Sequence, residues 1–157
     1  SATEYRALIG KLLYLVGQTL PDLASRAGGS ARKNKDPCVD DIQYHNSIVE
    51  MISLRHSKLI FQEIDNPAIV VFSDASWANL ADKGSQSGYL VLLVDGDMSQ
   101  MGGVIDYGSH KLKRVRRSSQ TADTLATSVG IDAAFWISAL LGECKLSKSR
   151  FRCWIRI

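Results

Sequence analysis

The sequence predicts a mixed domain, α+β or α/β, in the order β-β-β-α-β, preceded by a helical lead-in. Three observations carry this. From residue 68 onward, short apolar runs alternate with glycine-punctuated turns, which is a strand texture. One long helical pattern then runs from about Ser118 or Ser119 to about Glu143 and is followed by the strand-like tail FRCWIRI. A strand returning after a helix points to a parallel crossover. Before residue 66, apolar residues recur at helical spacing instead.

In the lead-in, TEYRALIGKLLYLVGQ (3–18) places Leu8, Leu12, Leu13, Leu15 and Val16 on a helix stripe, with Thr3 as the expected N-cap. Pro21 opens a second short helix, PDLASRAG, where proline costs no intrahelical bond. GGSARKNKDP (28–37) reads as a loop from its glycines and charges. A third helix spans 39–56, with Ile42, Ile48, Val49 and Ile52 on one side. KLIFQEI (58–64) reads as a strand, stopped by Asn66-Pro67. The domain boundary is therefore expected at 65/66.

Strands are expected at 68–73, 87–95, roughly 101–107 and 110–117. The first is the most informative: the apolar run Ala68–Phe72 ends on Ser73 and Asp74, so a carboxylate stands at a strand end. The helix after Ser118 carries a second one, Asp123, and an expected apolar face of Leu125, Val129, Ala133, Trp136, Ile137 and Leu140. A strand carboxylate facing one from a helix start can hold magnesium. Each also has a plainer use. Asp74 can bond the turn that follows it, and Asp123 suits the helix dipole.

Composition bounds the partners. Net charge is only +3, but it is uneven: 111–117 has five basic residues in seven, and the last thirteen residues have five. Such tracts suit a phosphate-facing surface or a solvated edge. Cys38, Cys144 and Cys153 are far apart and form no CxxC pair, which reads as free thiols in a reducing, intracellular compartment rather than a zinc site. No secretory signal is recognised, and no run of about 18 apolar residues predicts a membrane span. The first residue is Ser1, as expected of a processed or excised chain.

Three stretches together resemble one family. YRALIGKLLYLVGQTLPDLA, FSDASWANLADKGSQSGYLVLL and IDYGSHKLKRVRRSSQTADTLA are similar, in this order, to the copia-type retrotransposon polyprotein where reverse transcriptase runs into ribonuclease H. The resemblance covers about residues 4–143. It implies a ribonuclease H-like mixed sheet at 66–157, incomplete as given, after a 1–65 segment from the polymerase end. It implies two magnesium ions held by four carboxylates, and hydrolysis of RNA in an RNA–DNA hybrid. Asp74 matches the first carboxylate, and Asp123 falls where the family has glutamate, one C–C bond (~1.5 Å) longer. The third and fourth carboxylates have no match up to Ile157, so little or no nuclease activity is expected. Lys111, Lys113, Arg114, Arg116 and Arg117 would contact the hybrid's phosphates in a salt-dependent way. The alternative is a transposon-derived structural subunit, docked in a larger protein assembly through the strand Phe151–Ile157.

Overall fold

The computed structural model describes residues 2–54, 58–78, 80, 83–112, 118–143 and 153–156, the last by backbone alone. The chain divides into a helical unit, Ser1–Leu59, and a sheet unit, Ile60–Ile157, earlier than the expected 65/66 boundary.

In the helical unit, α1 spans Ala2–Thr19, a 3-10 turn at Pro21–Leu23 leads into α2 (Ala24–Ala31), and α3 spans Val39–Leu54. Leu12, Val16, Leu20, Leu23, Ala27 and Ile48 form its core. Three expectations are corrected here. Thr3 lies inside α1 and is not its cap. Gly28 and Gly29 are helical, because α2 continues to Ala31 and buries Ala27 and Ser30. Tertiary packing has overridden their low helix propensity. The buried faces are also rotated from the expected ones. α1 buries Tyr5, Ile9, Leu12 and Val16, while Leu8, Leu13 and Leu15 are exposed. α3 buries His45 and Ile48, while Ile42 and Val49 are exposed.

In the sheet unit, β1 is Pro67–Ser76, β2 is Gln86–Asp95, β3 is Met101–Lys111, α4 is Ser119–Glu143 and β4 is Cys153–Arg156. The sheet order is β3-β2-β1-β4. β1 pairs antiparallel with β2 from Pro67–Asp95 to Ser76–Gln86, and β4 returns parallel to β1 from Ile69–Cys153 to Phe72–Arg156. β1 is thus central, and α4 is the crossover. β3 is a single strand to Lys111, which corrects the separate 110–117 strand; 113–117 lie outside the described residues. The segment 58–64 is not a strand. The Gln62 N–H donates to Gly102 O (2.7 Å), but no ladder follows. Gly103, at φ 148°, sits beside it: a Cβ there would lie 2.9 Å from Ile60 O and 2.8 Å from the Phe61 ring.

The helix α4 starts at the predicted place, with Ser118 Oγ accepting the Thr121 N–H (3.3 Å) as an N-cap. It packs on Ile69, Val71 and Val91 through Ala134 and Ile137. Its buried stripe is Ala122, Ala126, Gly130, Ala134 and Ile137. Trp136, expected in the core, is 65% exposed, and Val129 and Leu140 are exposed too. The physical reason is close approach: a Cβ on Gly130 would lie 2.9 Å from Val71 Cγ1. Small residues let the helix axis sit nearer the sheet than a Trp or Leu face would. By length and composition α4 is apolar enough to cross a bilayer, but the same helix is a core helix of the sheet unit along its small-residue face.

Candidate functional site

The two acidic residues singled out in the sequence lie on adjoining elements. Asp74 is exposed on the central strand β1, opposite Gly88 of β2. Its Oδ1 accepts the Ala75 N–H (2.9 Å). Asp123 is half-buried on α4, soon after the Ser118 cap. A hydrogen bond joins the two neighbourhoods: Ser73 Oγ lies 3.2 Å from Thr127 Oγ1. Thr127 O–H donates to Asp123 O (2.9 Å), so the Ser73 hydroxyl is the donor in that link. This ties the strand residue before Asp74 to the helix turn after Asp123. Strand alternation directs Ser73, which is buried, towards α4 and Asp74 to the opposite face.

An open groove of about 520 Å³ runs along α4 past Asp123, lined by Gln120, Asp123, Thr124, Thr127, Ser128 and Ile131. Among the described residues, no three His, Cys, Asp or Glu side chains are grouped to hold a metal ion. Two magnesium ions need more oxygen ligands than a pair of carboxylates supplies, and near-octahedral geometry around each. One Asp74 oxygen is already engaged by its own strand. The described residues therefore do not fit a two-ion centre.

Of the basic residues, Lys111 ends β3 opposite Gln86 and is exposed. Lys113, Arg114, Arg116 and Arg117 lie outside the described residues. So do Phe151 and Ile157, while the backbone of Cys153–Arg156 forms the edge strand of the sheet.

The turn motif around Ser85–Ser87 serves the fold. Ser85 Oγ accepts the Ala78 N–H (3.1 Å), Gln86 Nε2 donates to Ser109 Oγ (2.8 Å), and Ser87 Oγ donates to His110 O (3.3 Å). Trp77 is half exposed at the rim of this turn. Sequence reasoning missed a polar pair on the sheet: Tyr89 O–H donates to Asp106 Oδ2 (3.2 Å). Burial first, then the adjacent Asp106 charge, pushes the Tyr89 phenol up to about 12. Residues 89 and 106 sit on neighbouring strands, but the register shifts between Val91 and Leu92 and between Leu93 and Val94 hide that pairing from a sequence count.

No protein-family model matches the chain. It is 29% identical over 150 residues to the Retrovirus-related Pol polyprotein from transposon RE1 of Arabidopsis thaliana, and 29% identical over 149 residues to that from transposon RE2 of the same plant. Each match covers 94% of this chain and 10% of the polyprotein. These similarities support a retrotransposon-derived origin. The chain spans about a tenth of the length of these polyproteins. It is also 29% identical over 136 residues to Secreted RxLR effector protein 161 of Plasmopara viticola, covering 85% of this chain and 91% of that protein.

Proposed function

We propose that this chain is a retroelement-derived domain of copia type, with a ribonuclease H-like sheet whose hydrolytic centre is not assembled by the residues described. One observation carries the reading. A central strand bearing Asp74 is flanked by an antiparallel hairpin partner on one side and, on the other, by a parallel strand reached through α4, which bears Asp123 near its start. Fold alone does not imply activity, which depends on the site. The lack of grouped ligands among the described residues and the exposed position of Asp74 argue against hydrolysis of an RNA–DNA hybrid. Magnesium would meet Asp74 or Asp123 singly. The basic tract Lys111–Arg117 supplies the phosphate contacts in this reading, and their strength falls as salt rises.

The test is a cleavage assay of the full chain on a hybrid with labelled RNA, in magnesium and in manganese. The expected result is hybrid binding that weakens with salt, and no cleavage above that of Asp74→Asn. Metal-dependent cleavage that is lost in Asp74→Asn would overturn the non-catalytic reading.

A second reading is a non-catalytic subunit docked through its C-terminal strand. It is favoured by the edge position of β4 and by a match that covers 91% of the effector's own length, a protein without the rest of a polyprotein. The exposed free thiol of Cys38 suits the reducing, intracellular setting of that reading. Proline at Ile155 would disrupt strand addition at this edge. A stoichiometric protein partner that survives the Ile155→Pro change would count against docking there.

A further inference from the structure

Among the described residues, the buried side-chain nitrogen and oxygen atoms without a hydrogen bond are Ser30 Oγ, Asn34 Oδ1 and His45 Nδ1, and all three lie in the helical unit. Two of these residues, Ser30 and His45, contact Tyr5. Its O–H donates to Ser30 O (3.0 Å), and its ring stands edge-on to the His45 ring with centroids 5.8 Å apart. His45 is only 2% exposed, one turn before Ile48 on the buried face of α3. A titratable ring thus sits at the meeting point of α1, α2 and α3.

We propose that His45 is an acid-sensitive pin of the helical unit: the three helices close on the neutral imidazole and open when it takes up a proton. Protonation would place an N–H on Nδ1, where no acceptor is bonded, and a positive charge in a buried site. The charged and titratable neighbours do not compensate it. Tyr5, from α1, faces the ring as a neutral phenol whose proton is already given to Ser30 O. Arg6, beside it, donates to Asn34 O and adds positive charge. Asp41, one turn earlier on α3, is the nearby anion, but its Oδ2 accepts both the Cys38 N–H (3.0 Å) and the Cys38 thiol (3.1 Å). Its Oδ1 faces Lys33 Nζ from the turn after α2, at 3.9 Å.

Burial accordingly lowers the His45 pKa from its ordinary 6.5. An unfolded or opened segment binds the proton more readily than the closed one. Stability contributed by the neutral ring is therefore complete above 6.5, is lost as pH falls below it, and levels off once pH passes the lowered folded value.

The experiment is amide hydrogen exchange of the full chain from about pH 7.5 to about pH 5, the range in which histidine switches, corrected for intrinsic exchange rates. Protection in 2–54 should fall by up to about tenfold for each unit by which folding lowers the His45 pKa. His45→Phe, which keeps a ring but cannot titrate, should abolish that fall; its persistence in this variant would overturn the proposal. Should His45→Phe fail to fold, imidazole proton titration of the unaltered chain decides. His45 titrating below 6.5, with helical opening in step, is the expected result. Titration at or above 6.5 with the helical unit intact would refute it.

Discussion

In the helical unit, α1 buries Tyr5, Ile9, Leu12 and Val16 and exposes Leu8, Leu13, Tyr14 and Leu15. In the sheet unit, α4 buries Ala122, Ala126, Gly130 and Ala134 and exposes Phe135 and Trp136. Both helices carry more apolar residues than their packed face uses, but they select that face by different physics. The first fills its core with large side chains and also buries Tyr5 against Ser30 and His45. The second gains contact by approaching a β-branched sheet surface closely enough that even one added methyl at Gly130 would press on Val71. Volume decides the packing of one helix, and the absence of volume decides the other.

Substitutions separate these two modes of packing. The largest effects should come from cavities. Ile48→Ala and Ile69→Ala each remove a fully buried side chain and should each cost about 2–5 kcal/mol, read from denaturant midpoints. A small loss at Ile48 would mean that the helical core is not packed by volume. Next is overpacking. Gly130→Val should destabilise the sheet unit by about 1–3 kcal/mol, because Val71 cannot move away within a filled core. A stabilised Gly130→Val variant would show that helix propensity outweighs close approach there. Removing the cap with Ser118→Ala should cost about 1 kcal/mol. The smallest effect should be Trp136→Ala, within about 0.5 kcal/mol of the parent, since the ring is exposed. A large loss at Trp136 would place that side chain in a packed interface and undo the comparison.

These helices also show what could be read from the sequence. The strand run Ala68–Phe72, its carboxylate at Asp74 and the Ser118 cap were legible because a short apolar run bounded by polar residues and a cap are local signals. The parallel return of the tail was legible because a helix lay between two strands. The helix faces were not. Periodicity finds a stripe of large apolar residues, and α4 packs through a stripe of small ones that hydropathy hardly weights. On α3 the sequence placed Ile48 and Ile52 on the expected side, but it grouped the exposed Ile42 and Val49 with them and passed over His45, whose polar ring carries little hydropathy signal. KLIFQEI has strand composition without a ladder, because β-propensity is realised only where a partner strand offers its edge in register. For the candidate site, the residue types were legible and their orientation was not. Whether Asp74 faces α4 depends on strand phase, which is fixed by burial of Ser73 against Thr127.

We propose that Asp74 and Asp123, on neighbouring elements, do not share a cation. Manganese titration of isotope-labelled protein tests it most directly, through broadening of amide signals near the bound ion. Weak, unsaturated broadening at scattered carboxylates is expected, unchanged at residue 74 by Asp123→Asn. A single saturable site that broadens residues 74 and 123 together, and is lost in either Asp→Asn variant, would contradict it.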